Sequence, residues 1–324
     1  MFARYLAAMA MAMAAALSLT ALPAHAQGSY PSKPVRLIVP FPPGQATDIV
    51  ARLLADSLTK VWGQQVIVDN RASVQGMVAG RDAPADGYTI TLGTSGTLAV
   101  NPAVFSKLPY DPPKDFIMVN GTSIVPMIIV ADPRLPYNTL KELVDAAKKE
   151  PGKLNIGYGG VNNTQHLTGE LFKFRAGIDM VGINYKGSAA AVTDLLGGQI
   201  QILVDSLAAT LPHIKSGKMK ALAISSLQRA PQLPDLPSVA ELGYPGFEGV
   251  GWAGMVVPKG TPSEIVEKIG ADVRRVLSDP LMRERILDRG MVADARGPKE
   301  WTEFVNAEVV KWAEAARRAN LKAD

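Results

Sequence analysis

The 324-residue chain contains no cysteine and only three histidines. Without cysteine there can be no disulfide, and no lipid anchor of the kind that acylates a cysteine side chain. His25 lies in the N-terminal segment, which leaves His166 and His213 far apart in the sequence. Because protein metal sites draw on clustered Cys, His, Asp and Glu side chains, no metal site is predicted. No cofactor is predicted either.

Motifs for nucleotide chemistry and for nucleophilic catalysis are also missing. The chain has no Walker A loop and no G-x-G-x-x-G after a predicted strand. The run Gly93–Thr97 resembles a nucleophile elbow, but Thr97 stands where G-x-S-x-G requires glycine. The sequence therefore predicts a protein that is not an enzyme. A hydrolase or transferase is the alternative, and it would need a positioned nucleophile–base pair.

The N-terminal segment has the features of a secretory signal peptide. Arg4 precedes an uninterrupted Ala/Met/Leu-rich run, Tyr5–Leu22, and residues 24–26 (AHA) fit an A-x-A cleavage site. We predict that residues 1–26 are a signal peptide, cleaved near Ala26, and that the mature protein is periplasmic. An uncleaved membrane anchor is the alternative interpretation.

The charge of the chain is mildly basic and evenly spread. Cleavage would remove Arg4 and no acidic residue, so the formal net charge would fall from +4 to +3. No Lys/Arg cluster is interleaved with aromatic residues, so nucleic acid is not expected as a partner. A weakly positive surface suits an anionic ligand.

Short β-branched runs alternate with amphipathic segments along most of the chain, which predicts βαβ units and largely parallel sheets. The predicted strands are Val35–Val39, Gln65–Asp69, Thr89–Leu92, Asn155–Tyr158, Val181–Asn184, Gln201–Val204 and Lys220–Ser225. The predicted helices are Thr47–Val61, Leu140–Lys149, His166–Ala176, Ala189–Leu196 and Leu207–Ser216, followed by three that begin near Thr261, at Pro280 and at Pro298.

Two further runs, Ile124–Ala131 and Trp252–Val257, bracket a middle segment with its own βα units. We interpret them as crossover strands that join a discontinuous domain 1, residues 27–125 and 252–324, to an inserted domain 2, residues 126–251. Clefts between domains are favoured small-molecule sites. One wide sheet is the alternative.

The stretch Pro40–Asp48, reading PFPPGQATD, joins the first predicted strand to the first helix. Unpaired N–H groups at a helix start, with the helix dipole behind them, favour a carboxylate or phosphate. Four more polar strand-to-helix junctions follow, and in parallel sheets such junctions gather at one edge. The candidate ligand-binding residues are Gly44, Gln45, Ala46, Thr47, Asp48, Thr94, Ser95, Gly96, Thr97, Asn162, Asn163, Thr164, His166, Tyr185, Lys186, Gly187 and Asp205. Plain turn and cap chemistry is the other interpretation of these residues.

The order of short motifs along the chain resembles the Bug-type receptors, the periplasmic solute-binding proteins of tripartite tricarboxylate transporters. The motifs are YPSKP (30–34), PFPPG and TD (40–48), DGYT (86–89), LGTSGT (92–97), LPYDP (108–112), KDF (114–116), HLTGELF (166–172), YKG (185–187), DLLGGQ (194–199), PHIKSGK (212–218), RAPQLPDLPSVAE (229–241) and GTP (260–262). They cover essentially the whole chain after the predicted signal peptide.

The resemblance implies an α/β fold of two periplasmic-binding-protein domains, type II-like, with two mixed sheets flanked by helices and joined by two crossover strands. It also implies closure on an organic acid whose carboxylate is held by backbone amides and ordered water at Gly44–Asp48. Thr94–Thr97 would add contacts from the same domain. Asn162–Thr164, Tyr185–Gly187 and Asp205 would approach from the other domain.

The resemblance further implies a receptor that delivers a small organic carboxylate to the membrane subunits of a tripartite tricarboxylate transporter, and we expect a monomer. A sensory partner that presents its ligand to a membrane sensor kinase is an alternative, and a periplasmic hydrolase is another. The implied ligands range from citrate-like acids, dicarboxylates and amino acids to aromatic acids such as nicotinate or terephthalate. Gln45 and Ala46 replace glycines that are usual in the family, which favours a flat, rigid ligand that needs a shaped wall and an amide donor.

Overall fold

A mixed sheet of ten strands runs through residues 30–160 and 163–318, the part of the chain that the computed structural model describes. By its internal contacts the chain divides into Met1–Ser32, which lies almost wholly outside the described residues, and Lys33–Asp324, which contains every element named below. The strands are β1 (Val35–Val39), β2 (Val66–Asn70), β3 (Thr89–Thr94), β4 (Phe116–Ala131), β5 (Asn155–Tyr158), β6 (Val181–Asn184), β7 (Ile202–Ser206), β8 (Lys220–Ile224), β9 (Val250–Pro258) and β10 (Val292–Ala293).

The strands form two parallel groups connected by antiparallel pairs. In the order β2-β1-β3-β9-β4-β7-β5-β6, β1 pairs parallel with β2 and β3, and β5 pairs parallel with β6 and β7. The neighbours β9 and β4 run antiparallel to the strands that flank them. Each parallel group therefore presents the carboxyl ends of its strands at one edge, where helices begin.

The strand β4 belongs to both groups. Its residues Phe116–Pro126 pair with β9, Met127–Ala131 pair with β7, and Ile128–Ala131 also pair with β8. The run predicted from the sequence, Ile124–Ala131, captures only the second part, because Asn120, Gly121 and their neighbours interrupt the apolar pattern. The predicted domain boundaries fall inside β4 and β9, and they stay a prediction.

The helices start near the capping residues and prolines that mark helix starts in the sequence. They are α1 (Ala46–Trp62), α2 (Ser73–Arg81), α3 (Asn101–Val104), α4 (Pro112–Asp115), α5 (Leu140–Lys149), α6 (Thr164–Ala176), α7 (Ser188–Gly197), α8 (Leu207–Lys215), α9 (Ser263–Ser278), α10 (Pro280–Asp288) and α11 (Pro298–Arg318). Helix α1 ends at Gly63, whose left-handed φ of 62° suits glycine. Among the described residues, no helix combines the length and the apolar character needed to cross a membrane.

A π-helical segment, Ser95–Val100, follows β3 directly, although the sequence predicted a polar loop at Thr94–Thr97. Leu98, Ala99 and Val100 are fully buried beside the C-terminal helix α11. Their burial favours a continued helix over a solvent-exposed loop. π-Helical turns are rare and occur frequently at functional sites.

Helix α11 is tied to the sheet through its tryptophans. The carboxylate of Glu308 accepts hydrogen bonds from the indole N–H groups of Trp252, on β9, and of Trp312, at 2.7 and 2.9 Å. The Trp252 and Trp301 rings pack edge to face, with centroids 5.3 Å apart. The Glu308 carboxylate thus satisfies the indole donors of Trp252 and Trp312, whereas the buried Trp301 indole N–H has no hydrogen-bond partner among the described residues. Both tryptophans of α11 are buried core residues.

Close packing at β9 gives a test of this core. A Cβ on Gly254 would collide with the Trp301 ring and lie 2.6 Å from the Asn120 carbonyl oxygen, which belongs to rigid backbone. We expect Gly254→Ala to lower the free energy of unfolding by about 1–3 kcal/mol through overpacking. Gly197→Ala is the matched control, because a Cβ at Gly197 meets nothing within 4 Å. Urea melts of the two variants should differ clearly, and equal stabilities would contradict this packing.

Candidate functional site

Four helical segments begin around a single small cavity. Helix α1 follows β1, the π-helical segment follows β3, α6 follows β5, and α8 follows β7. The cavity between their N-termini has a volume of about 30 Å³. Its lining residues are Phe41, Gln45, Ala46, Thr47, Thr94, Ser95, Val125, Met127, Thr164, Gln165, Ser206, Gly251 and Trp252, and none of them carries a charge. The cavity is polar at the helix starts and apolar at the crossover strands.

The wall from α1 offers backbone amides. Gln45 is the N-cap residue of α1, with extended backbone (φ −77°, ψ 161°), but its side chain does not cap the helix. The first-turn N–H groups of Ala46 and Thr47 thus have no side-chain cap. Since such groups also have no partner within their own helix, they are available donors on two residues that line the cavity.

The π-helical segment completes the same wall. Its N-cap Thr94 forms a capping box with Thr97, in which each side chain accepts from the other residue's backbone N–H. The two hydrogen bonds satisfy the backbone N–H groups of Thr94 and Thr97. Ser95 lies between these residues, and its hydroxyl takes no part in the capping box. The Ser95 hydroxyl is buried and projects toward the opposite wall. The sequence prediction that Thr94–Thr97 is a source of polar contacts therefore has a geometric basis for two residues, Thr94 and Ser95.

The opposite wall is built from the starts of α6 and α8. The Asn163 side chain accepts the His166 backbone N–H and caps α6, and the Ser206 hydroxyl accepts the Ala209 N–H and caps α8. Thr164 is the first residue of α6 and lines the cavity. This wall supplies a hydroxyl and first-turn amides, as the other wall does.

The two walls touch. The hydroxyl oxygens of Ser95 and Thr164 lie 2.5 Å apart, and the Gln45 side-chain amide donates to the Gly159 carbonyl oxygen at 3.3 Å. A Cβ built on Gly96 would lie 3.6 Å from the Asn163 Cβ. These contacts close the cavity around neutral donors and acceptors. The arrangement can hold an anion through helix starts and hydroxyls without an ion pair.

Asp205 lies behind this wall and does not line the cavity. One of its oxygens, Oδ1, accepts from the Ser188 hydroxyl at 2.8 Å, from the Ser206 N–H at 2.6 Å and, at 3.5 Å, from the Gln165 amide. The other, Oδ2, packs against Gly159 and has no hydrogen-bond partner among the described residues. Complete burial raises the pKa of Asp205 to about 6, although these hydrogen bonds oppose the rise. Asp205 thus positions residues of the wall.

Asp48 has a structural position as well. Burial pushes its pKa up, but hydrogen bonds from Arg52, the Gly44 N–H and Asn70 outweigh burial, so the pKa lies below its usual value. The Gly44 N–H donates to Asp48 at 2.9 Å, and Gly44 has a φ of +85°. These contacts shape the turn before α1 and keep the Asp48 carboxylate away from the cavity.

Tyr185, Lys186 and Gly187 do not line the cavity. The Tyr185 hydroxyl donates to Asp194 at 2.7 Å, and Lys186 is exposed. Burial, followed by the hydrogen bond and charge of Asp194, raises the pKa of Tyr185 to about 12. Gly187 lies against the Gln45 amide. Asn162 lies outside the described residues.

His166 is buried on the first turn of α6, with its ring 4.9 Å from the Tyr158 ring. Burial lowers its pKa, while the charge of Glu170 acts in the opposite direction. The Nδ1 atom has no hydrogen-bond partner among the described residues. A neutral, buried imidazole that does not line the cavity acts here as a packing residue of α6.

Several lining residues were absent from the sequence prediction, namely Phe41, Val125, Met127, Gln165, Ser206, Gly251 and Trp252. Phe41, Gln165 and Ser206 neighbour predicted residues, so their proximity in the chain is a usable signal. The other four lie on β4 and β9. There the apolar pattern predicts burial without distinguishing the core from a cavity wall.

Groups of three or more His, Asp and Glu side chains placed to hold a metal ion do not occur in residues 30–160 or 163–318.

Comparison with known proteins gives consistent matches. A family model described as "Tripartite tricarboxylate transporter family receptor" (TctC) matches residues 50–321. The solved structure of R. palustris Rpa4515 with adipate is 34% identical, covers 90% of this chain and 99% of its own, and has a TM-score of 0.87. The periplasmic binding protein BugD is 36% identical, with 90% and 99% coverage and a TM-score of 0.83. MatC from Rhodopseudomonas palustris with bound malate is 31% identical, with 88% and 99% coverage and a TM-score of 0.81.

The raised pKa of Asp205 predicts a pH dependence of stability. Because the folded protein holds the Asp205 proton up to about pH 6 and the unfolded chain releases it near pH 4, the contribution of Asp205 to stability should fall as pH rises between these values, opposite in sign to that of Asp48, whose pKa is lowered. Asp205→Asn should remove this part of the pH dependence, which is on the order of 3 kcal/mol. Urea melts of both proteins from pH 4 to pH 8 measure it.

Asp235→Asn removes an exposed carboxyl group and serves as the control. If wild type and Asp205→Asn lose stability in parallel between pH 4 and pH 6, the buried carboxyl is not the cause.

Proposed function

Since this chain belongs to the tripartite tricarboxylate transporter receptor (TctC) family, we propose that it captures a small organic carboxylate in the cavity between the starts of α1, the π-helical segment, α6 and α8. The observation that carries this proposal is the convergence of four helix N-termini on one uncharged cavity. The family is one of solute-binding receptors, which are not enzymes.

Physical chemistry favours an anion at this place. A negative charge near a helix N-terminus gains about 0.3–1 kcal/mol, and up to about 2 kcal/mol where the site is partly buried. Hydrogen bonds to a charged group contribute about 1.5–3 kcal/mol each. The amides of Ala46 and Thr47 and the hydroxyls of Ser95 and Thr164 are the proposed donors to the carboxylate.

The ligand class follows from the same donors and from the relatives. One relative carries adipate and another carries malate, both of them aliphatic carboxylic acids. A compact carboxylate would place its charge at the helix starts and its carbon chain against Val125, Met127 and Trp252. In our proposal the ligand replaces the direct contact between Ser95 and Thr164, and each hydroxyl then donates to a carboxylate oxygen.

Delivery and location complete the proposal. We propose that the loaded receptor hands its ligand to the membrane subunits of a tripartite transporter in the periplasm. The family description and the periplasmic relative BugD support this. The predicted signal peptide, residues 1–26, lies outside the described residues. The two domains, residues 27–125 with 252–324 and residues 126–251, would open and close around the cavity. A sensor-kinase partner and the monomeric state stay predictions.

A panel of carboxylates tests the proposal directly. At a concentration about 100 times its Kd, a ligand that binds only the folded protein adds roughly 2.7 kcal/mol to stability, which a thermal melt detects as a shift of several degrees. At least one mono-, di- or tricarboxylate, aliphatic or aromatic, should produce this shift. The corresponding primary amide is the matched control compound, because it keeps the shape and removes the charge. A panel without any stabilising acid would overturn the proposal.

The role of the facing hydroxyls is tested by mutation. Ser95→Ala removes one proposed donor to the carboxylate, and the loss of a hydrogen bond to a charged group should weaken binding by about 10-fold to 100-fold. Ser216→Ala removes an exposed hydroxyl at the end of α8 and should leave the affinity unchanged. Isothermal titration calorimetry with the best ligand of the panel measures both. Equal affinities of the two variants would exclude Ser95 from the site.

A further inference from the structure

Gln45 spans the cleft from one wall to the other. Its backbone belongs to the start of α1, yet its side chain reaches the opposite half and is only 6% exposed as a residue. The Nε2 group donates to the Gly159 carbonyl oxygen at 3.3 Å. A Cβ built on Gly187 would lie 3.2 Å from the same Nε2 group, and one built on Gly159 would collide with Asp205. The missing side chain of Gly187 thus leaves room for the amide, and Gly159 contributes the carbonyl oxygen that receives its hydrogen bond.

This side chain also forms one boundary of the cavity. Gln45 lines the cavity together with Ser95 and Thr164, the two hydroxyls that meet across it. The remaining volume is about 30 Å³, roughly that of one water molecule, so any carboxylate must separate the Ser95 and Thr164 hydroxyls to enter. Extension of the cavity toward Gly159 and Gly187 is blocked by the Gln45 amide.

The Gln45 side chain cannot leave this position freely. Its buried Nε2 group and the Gly159 carbonyl oxygen satisfy each other, and separating them inside the closed cleft would leave two polar groups without partners. A ligand that fits beside Gln45 keeps this hydrogen bond. A longer ligand must break it or hold the cleft open.

We propose that Gln45 determines the length of the ligand: it limits the receptor to short carboxylates and excludes long-chain dicarboxylates. The inference rests on the proposed function, because it concerns the ligand of that same site. The helix starts and the hydroxyls recognise the carboxylate group of the ligand and not its carbon chain. Selectivity for ligand length therefore needs another group, and we assign it to the Gln45 side chain.

The test uses straight-chain dicarboxylates of increasing length, from oxalate through succinate to pimelate, with calorimetry on the intact mature protein. Gln45→Ala shortens the side chain but keeps a Cβ, so the backbone gains no glycine-like freedom. Gln45→Met keeps the length of the side chain and removes the amide. We expect wild type to prefer the short members and to bind adipate at least 10-fold more weakly. In Gln45→Ala the preferred length should increase by two or more methylene groups, while Gln45→Met, which keeps the bulk of the side chain and loses the hydrogen bond, should shift it less.

The outcomes separate the two proposals. If wild type binds members of the series and Gln45→Ala shows the same preferred length, the length-determining role of Gln45 is wrong and the proposed function stands. A shift in Gln45→Met as large as that in Gln45→Ala would assign the length limit to the Gln45–Gly159 hydrogen bond, and thus still to Gln45. If wild type binds neither this series nor any acid of the wider panel, the proposed function itself fails. Thermal melts without ligand verify that both variants are folded.

Discussion

The direction of four strands is the constraint on which the rest of this structure depends. Because β1 and β3 are parallel to each other, and β5 and β7 likewise, each pair ends at one edge, and a helical segment begins at each end. The long strand β4 and its neighbour β9 connect the two pairs. The N-termini of α1, the π-helical segment, α6 and α8 therefore meet at one place, where their donors need partners. The topology therefore produces a cavity lined by uncharged donors and acceptors, with no lysine or arginine in its lining.

Much of this arrangement could be predicted from the sequence, for identifiable physical reasons. The Bug-type resemblance and the fold class are confirmed by the family match and by related periplasmic binding proteins. The β-branched runs such as Val35–Val39 and Asn155–Tyr158 have the predicted bounds because strand propensity and burial agree there. Helices α10 and α11 begin at the prolines that the sequence marked as starts.

The rest depends on tertiary contacts that local patterns do not encode. Helix α2 follows the strand β2 without a strong apolar period, and the π-helical segment exists because Leu98 and its neighbours are buried against α11. Residue type alone does not show that Thr47 lines the cavity while the neighbouring Asp48 does not. The Asp48 carboxylate instead accepts hydrogen bonds from Gly44 and Asn70. The apolar wall of Val125, Met127 and Trp252 resembles ordinary core in the sequence. For a residue that follows a strand, the orientation of the side chain depends on its hydrogen-bond and packing partners. Those partners lie far away in the chain.

The two walls of the cavity differ in how many of their donors are already engaged. On the α8 side, the Ser206 N–H is bound by Asp205, and the Ser206 hydroxyl is bound by the Ala209 N–H. Asp205 is fully buried without a cationic partner, and above about pH 6 its charge opposes a second negative charge nearby. On the α1 side, the side chain that could have capped the helix, Gln45, reaches across the cleft instead. The first-turn amides of α1 thereby stay available. Gln45, whose side chain leaves them uncapped, also bounds the cavity beside them. Under the proposed function, anion binding and ligand size would therefore both depend on the side-chain conformation of one residue, the N-cap Gln45 of α1.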